Sequence, residues 1–258
     1  MSGISGINSA SSYSVYGQIA SGNRLPSAAD GAAELAISEK HKTQETGYNA
    51  GSNNLQSGKD LLNISDAALG GISDYLQRIR ELALQASNTA IVSDSDRRNI
   101  QAEVDQMKKG IQDIATQTQY NTKNLLDGSY SNGFQIAADG NGNSITINNQ
   151  SNSTLKALGI EDFDVTKNFD LRKIDKALSM VNSNRSQGGA QSNRLDYALG
   201  YNSYASFSAS SAHSRLADTN YPQSISEMKK EQLLQTYSMM MQKKKMEEEN
   251  RKMQNFWI

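Results

Sequence analysis

The chain has 258 residues, a net charge of −1 and no cysteine, and only 36% of its residues are hydrophobic. The near-zero charge provides no field that would attract nucleic acid or a membrane surface, and no segment approaches the ~20 apolar residues of a membrane span. So polar a composition, with only 2 prolines, is typical of an elongated bundle of long helices.

The first residues are rich in serine and glycine. Residues 1–16 have neither a basic nor an apolar region, so we expect no cleavable secretion signal. A weak helix is predicted over residues 9–21. Pro26 disfavours helix at the residue before it, and Asp30 is then expected to cap the next helix.

One long helix, from Glu34 to about Ser87, is predicted to organise the chain. Apolar or small residues recur every seven positions, with a second set three places later, which puts one seam on one side of a helix. The first set is Tyr48, Leu55, Leu62, Leu69, Leu76 and Ala83, and the second is Gly51, Gly58, Ser65, Ile72, Ile79 and Ala86. Such a helix would be roughly 80 Å long, so it needs long partner helices to bury its seam.

Later stretches supply those partners. A capping cluster at residues 93–96 opens a helix that runs to about residue 119, and the short connection makes it antiparallel to the first helix. A third helix with the same rhythm is predicted over 171–210. Pro222 marks a joint, and a last helix begins near Gln223 and continues into a Lys/Glu tract at 243–252 that should face solvent or another subunit.

A β-hairpin is predicted at about 133–149, because two alternating stretches flank a run of turn-forming residues at 139–143. A second interpretation is the start of a calcium loop, which would need glycine at its sixth position and glutamate at its twelfth. The sequence has Ser144 and Gln150 there, so the turn is preferred. We predict no metal site and no cofactor.

These elements predict a mainly α fold: an elongated, coiled-coil-like antiparallel bundle of long helices with a small β-hairpin and both termini at one end. Catalysis is not expected. The chain has two histidines, His41 and His213, and no zinc-protease, P-loop or nucleophile-elbow motif.

Several short motifs resemble, in the right order, those of bacterial flagellin, the subunit of the flagellar filament. They lie at residues 21–25, 30–38, 76–86, 100–103, 116–121, 174–178, 214–218 and 226–228, so the resemblance covers most of the chain. The most specific is Leu76-Gln77-Arg78-Ile79-Arg80-Glu81-Leu82-Ala83-Leu84-Gln85-Ala86.

The resemblance implies two regions. A D1-like rod would comprise residues 32–213, and a D0-like region of terminal helices would comprise residues 1–31 and 214–258. The segment near 159–170 is too short for the variable outer domains, so this would be a minimal flagellin. The resemblance further implies self-assembly for motility, an extracellular location, export without a cleaved signal, and contacts with an export chaperone and with cap or junction proteins.

Two departures from the family pattern keep other interpretations open. The N-terminal arm is shorter than usual, and the C-terminal end carries the charged tract and an apolar tip, Phe256-Trp257, in place of an uncharged stretch. The alternatives are a minor or non-polymerising flagellin paralogue and a hook–filament junction protein.

The resemblance also suggests contact residues. Candidates for binding by Toll-like receptor 5 are Gln77, Arg78, Leu82 and Glu103, with Arg78 offering a fork of donors, Leu82 an apolar contact and Glu103 a carboxylate. The same residues could instead make subunit contacts or pairs within their helix. Candidates for contacts between subunits are Arg80, Glu81, Met228, Leu233, Leu234 and Tyr237.

Overall fold

A computed structural model describes residues 15–130, 132–148 and 152–256, with side chains as far as residue 252. The chain forms two compact units. One comprises residues 1–45 and 207–258, and we call it the terminal unit. The other comprises residues 46–206, and we call it the central unit.

In the described part of the chain, the N-terminal helix α1 (15–21) is followed by five helices and four short strands. The helices are α2 (Ala32–Ala86), α3 (Asp94–Gln117), α4 (Leu155–Leu158), α5 (Arg172–Ala217) and α6 (Tyr221–Phe256). The strands are β1 (Gln119–Tyr120), β2 (Lys123–Asn124), β3 (Phe134–Ala137) and β4 (Ser144–Ile147). The predicted mainly α fold is confirmed. The long helices begin and end close to the predicted residues, except that α5 runs to Ala217 rather than to residue 210.

The heptad seam of α2 forms the core of the central unit. Its leucines are at most 7% exposed, and the whole second set of seam residues is buried with them. These side chains pack against apolar residues of α3 and α5 and of the segment between α4 and α5. Within that segment, Phe163 and Val165 are buried.

The partner helices run antiparallel to α2 in the central unit. Ion pairs join α2 to α5. Later residues of α2 pair with earlier residues of α5, as antiparallel helices require. The pairs are Lys59–Asp196 at 2.6 Å, Asp66–Arg185 at 2.9 Å and Arg80–Asp175 at 2.7 Å. All are partly exposed, so each contributes about 1 kcal/mol or less, and the apolar seam carries most of the stability.

Helix α3 begins with the predicted capping cluster. The hydroxyl of Ser93 accepts a hydrogen bond from the Asp96 amide, and the Asp96 carboxylate accepts from the amide and the hydroxyl of Ser93. These hydrogen bonds lower the pKa of Asp96. Ile100, Val104 and Ile111 then face the core, as the spacing predicts.

The prediction that Asp30 caps α2 is wrong. Asp30 is the last residue of a 3-10 turn, Ala28–Asp30, and its carboxylate accepts hydrogen bonds from the amide and the hydroxyl of Ser27. The chain therefore makes one short capped turn after Pro26 before α2 starts at Ala32.

A tight hairpin at the end of α3 is absent from the sequence prediction. Gln119 pairs with Asn124 and Tyr120 with Lys123, so two residues form the turn. Asn121 and Thr122 both have positive φ, 46° and 65°, as a type I′ turn requires. Asparagine tolerates this conformation, whereas threonine adopts it rarely because of its branched Cβ.

The predicted hairpin at 133–149 is confirmed over β3 and β4, with Phe134 opposite Ile147 and Ala137 opposite Ser144. In the turn, Asp139 accepts hydrogen bonds from the Asn141 amide and from the amide and side chain of Asn143. These bonds lower the pKa of Asp139, the Asn143 side chain contributing most. Gln150, which bore on the calcium interpretation, lies outside the described residues.

The tip of this hairpin lies directly on the α2 backbone. A Cβ at Gly51 would sit 2.1 Å from the carbonyl oxygen of Ala138, and one at Gly47 would sit 2.8 Å from the Cα of Gly140. Asn202, which is 3% exposed, donates its amide to the same Ala138 oxygen at 2.6 Å. Small residues on α2 and one buried amide on α5 thus hold the tip in place.

In the terminal unit, segments near the two ends of the chain pair with each other. Asn23 forms a β-bridge with Asp218, flanked by backbone hydrogen bonds from Arg24 to Ala217 and from Thr219 to Gly22. The Arg24 side chain donates to the Leu216 carbonyl at 2.7 Å. Among the described residues no helix combines the length and the apolar character needed to cross a membrane.

Gly51→Ala tests the hairpin contact. The added methyl would collide with backbone atoms that cannot rotate away, so we expect a net loss of about 1–2 kcal/mol in the free energy of unfolding, despite alanine's better helix propensity. The control is Gly70→Ala, also in α2, where nothing lies within 4 Å of the new Cβ. It should gain about 0.5–1 kcal/mol. Urea unfolding measures both, and equal effects of the two changes would contradict the contact.

Thr122→Gly tests the strained turn. Glycine adopts positive φ without steric cost, so we expect the free energy of unfolding to rise by about 1 kcal/mol. Asn121→Gly is the comparison and should change stability by only a few tenths of a kcal/mol, because asparagine already tolerates this region. Thermal unfolding by circular dichroism measures both, and destabilisation by Thr122→Gly would rule out strain at this residue.

Candidate interaction surfaces

Two surfaces contain most of the residues that the sequence suggests for recognition. The first lies in the central unit, where α2 faces α3, and we call it the Arg78 cluster: Gln77, Arg78, Glu81 and Glu103. The second lies in the terminal unit along α6, and we call it the α6 apolar surface: Ile225, Leu233, Leu234, Tyr237, Met239, Met240, Met241 and Met246.

The Arg78 cluster is held by hydrogen-bonded ion pairs. The guanidinium of Arg78 donates to one Glu103 oxygen from Nε at 3.1 Å and from Nη2 at 2.9 Å, and to Glu81 from Nη1 at 3.1 Å. Glu103 chiefly, and Glu81 with it, raises the pKa of Arg78. Half of the Arg78 side chain stays exposed, so a partner could still reach the fork.

Leu82 does not belong to this surface. It is 2% exposed and packs in the core of the central unit with the α2 seam. Its position, three residues after the buried Ile79, places it on the core-facing side of the helix. A receptor therefore has no access to Leu82 as an apolar contact, and Gln77, Arg78 and Glu103 remain candidates.

Arg80 and Glu81, proposed for subunit contacts, already have partners within the chain. Arg80 donates to Asp175 at 2.7 Å, and Glu81 accepts from Arg78. Both side chains are about half or more exposed, at 49% and 68%. Contact with another subunit would thus have to share or replace these ion pairs.

The α6 apolar surface is large and open. Leu233 is 71% exposed, Leu234 52% and Tyr237 63%, and the methionines from 239 to 246 are between 51% and 63% exposed. Met228, another candidate, is only half-buried. Exposed apolar area of this extent on one helix is typical of a surface that binds a partner.

An aromatic row on α5 escaped the sequence interpretation. Tyr197, Tyr201 and Tyr204 are 82%, 60% and 74% exposed, and Tyr201 contacts the ring of Tyr48 edge-to-face at 6.2 Å. The rhythm of α5 passes through Leu195, Leu199 and Asn202. Each tyrosine lies two residues after one of these positions, which is about 200° around a helix, and therefore faces away from the core. This two-residue offset is visible in the sequence and could have predicted that the three tyrosines are exposed.

The chain matches two family descriptions. Residues 2–131 match the bacterial flagellin N-terminal helical region, and residues 171–249 match the bacterial flagellin C-terminal helical region. Flagellin of Bacillus subtilis is 32% identical over 275 residues, covering 92% of this chain and 90% of the relative.

Two solved structures are similar to this chain. Flagellin of Bacillus cereus has a TM-score of 0.50 at 31% identity, covering 58% of this chain and 88% of that one. A flagellar hook-associated protein from Vibrio parahaemolyticus has a TM-score of 0.60, covering 73% of this chain and 100% of that one, but at 17% identity it shows the fold alone. The chain belongs to the bacterial flagellin family, whose members are the structural subunits of the flagellar filament.

Proposed function

We propose that this chain polymerises through its terminal unit into the extracellular flagellar filament, and that its role is structural rather than catalytic. The observation that carries the proposal is the α6 apolar surface, which leaves Leu233, Leu234 and Tyr237 more than half exposed. Full burial of such a side chain contributes about 1.5–3 kcal/mol, so contact with further copies would stabilise this helix substantially.

The symmetry of the contact between copies determines the form of the assembly. A surface that binds a different surface on the next copy gives a ring if the rotation closes and a helical filament if it does not. A 36-residue helix with exposed apolar side chains along much of its length can contact several neighbours at once, as a filament requires.

We assign the D0-like region to residues 1–31 and 214–258 and the D1-like region to residues 32–213. Support comes from the bridge between Asn23 and Asp218, which ties the two terminal segments together in one unit. Export without a cleaved signal, binding of an export chaperone, and contact with cap or junction proteins follow the family pattern and belong to the same proposal.

Seeded assembly tests the filament proposal. Purified chain is added to sheared filaments, and pelleting and negative-stain electron microscopy report elongation. We expect Leu233→Gln combined with Tyr237→Gln to raise the critical concentration about tenfold or more, because two exposed anchors of α6 are lost. Ile91→Gln is the control, since Ile91 is 81% exposed but lies in the central unit.

The outcomes separate the alternatives. Wild-type elongation that falls only with the α6 change supports a working filament subunit. A chain that stays helical and soluble with seeds of its own species contradicts the proposal and favours the non-polymerising paralogue. Capping of seed ends without growth would instead favour a junction protein.

A second candidate function is recognition by Toll-like receptor 5 through the Arg78 cluster. It is favoured by the geometry of Arg78, whose fork already binds a carboxylate from the neighbouring helix and is half exposed. A receptor carboxylate could accept from the same donors, and interface arginines of this kind often contribute strongly to binding.

A receptor reporter-cell assay tests this role. We expect Arg78→Ala to raise the half-maximal concentration about tenfold or more, because a charge-assisted contact at an interface is lost. Lys109→Ala, which removes an exposed positive charge elsewhere on α3, should leave the response unchanged. Equal responses of the wild-type chain and Arg78→Ala would exclude Arg78 from the receptor contact.

A further inference from the structure

The second half of α6 is exposed on all sides. Every residue from 236 to 252 is exposed, whereas nearer the start of the helix Gln232 donates to the hydroxyl of Tyr16 at 2.6 Å. A helical stretch of this length is only marginally stable when nothing packs against it. This part of α6 therefore gains stability from a partner molecule.

The charges of this stretch form two blocks of opposite sign. Three lysines, residues 243–245, precede Met246, and three glutamates, residues 247–249, follow it. None of these six side chains forms an ion pair within the described part of the chain. Lysine four residues before glutamate is also the less favourable order within one helix. Both blocks are thus available to a partner.

The pattern is complementary to its own reverse. Counted outward from Met246, lysine on one side is matched by glutamate on the other at one, two and three residues. Gln242 is matched by Asn250 at four residues, and Met239 by Met253 at seven. Two parallel copies in register would instead place lysine beside lysine and glutamate beside glutamate. The sequence of α6 therefore fits a second copy of itself in the antiparallel direction.

We propose that the unassembled chain forms a two-fold symmetric dimer in which two α6 helices pack antiparallel and cross at Met246. A two-fold contact uses the same surface on both copies, so it closes as a dimer and does not propagate. The proposal rests on the charge pattern of α6 and is independent of the filament contact.

Helix geometry places the charges at the edges of this contact. Successive residues are about 100° apart, so Met246 shares one side of α6 with Met239, Gln242 and Asn250. Residues 243 and 247 lie along one edge of that side, and residues 245 and 249 lie along the other. In the antiparallel pair, each edge brings the lysine of one copy beside the glutamate of the second copy. Interhelical pairs of this kind select both partner and orientation.

The opposite end of the chain does not match this pattern. Residues 1–14, which lie outside the described part, contain no charged side chain. They could cover apolar residues of α6 but could not neutralise either charge block. A second copy of α6 supplies both the apolar side chains and the opposite charges.

Sedimentation velocity of the full-length chain, without filament seeds, measures the dimer. We expect a monomer–dimer equilibrium that depends on concentration at low salt. The dimer Kd should rise several-fold as salt increases from about 0.05 to about 0.5 M, because exposed ion pairs are screened.

Charge variants assign the contact. Lys243→Glu with Lys245→Glu makes both edges acidic, and Glu247→Lys with Glu249→Lys makes both edges basic. Each variant alone should raise the dimer Kd about tenfold or more, because like charges then meet. An equimolar mixture of the two should dimerise again, which also shows that both variants fold.

A matched control changes the same charge outside the crossing. Lys229→Glu with Lys230→Glu alters two exposed lysines near the start of α6, which the antiparallel overlap does not reach. This variant should leave the dimer Kd unchanged.

Introduced cysteines give the orientation, since the chain has no cysteine of its own. Met246→Cys should form an intermolecular disulfide under mild oxidation, because the two copies cross at this residue. Met239→Cys should not, because the two copies of residue 239 would lie about 21 Å apart along the helix axis. Met246 and Met239 are 60% and 62% exposed, so both positions are equally accessible.

Four results would overturn the proposal. A chain that stays monomeric at low salt has no such contact, and a dimer that survives both charge variants uses another surface. Disulfides at both introduced cysteines would show parallel helices in register. Disulfides at neither would show that the copies do not cross at Met246.

Discussion

The structure depends on the apolar seam of α2. A 55-residue helix with one buried stripe has no way to cover that stripe alone, so α3, α5 and the β3–β4 hairpin must supply the apolar side chains that cover it. Leu55 and Leu62 meet the hairpin and α5, whereas Leu69 and Leu76 meet the main core with α3. Each partner element is positioned by its contact with this seam.

Within this arrangement, glycines decide where backbone can approach backbone. Gly47 and Gly51 let the hairpin tip lie on α2 at distances that a methyl group would block. Asn202 then supplies the polar contact that the buried carbonyl of Ala138 requires. A packing contact and a hydrogen bond thus act at the same point and hold the hairpin against the helices.

The ion pairs have a different role. Arg78, Arg80 and Arg185 bridge helices through partly exposed pairs that add little to stability. For the same reason, a partner could exchange them at low cost. The terminal unit is the opposite case, because α6 exposes apolar side chains that have no comparable cover within the described chain. Surface ion pairs and exposed apolar residues therefore point to two distinct kinds of recognition.

Much of this protein could be predicted from the sequence, because the relevant information is local. The heptad spacing of α2, the capping cluster at Ser93 and the alternation of β3 and β4 each reflect a contact between residues close in the chain, so their elements appeared where expected. Short motifs along most of the chain, in the order typical of the family, were sufficient to indicate the family.

Other features were not predicted from the sequence. The burial of Leu82 depends on residues distant in sequence, whereas the Asp30 contact and the β1–β2 turn are local. Leu82 lies three residues after the seam residue Ile79, and the packing of α2 in the core buried it. The Asp30 carboxylate accepts hydrogen bonds from the amide and the hydroxyl of Ser27, within a 3-10 turn that precedes α2. The β1–β2 turn required positive φ at a threonine, which propensity disfavours. Burial and close packing are properties of the assembled core, so the local sequence alone did not decide them.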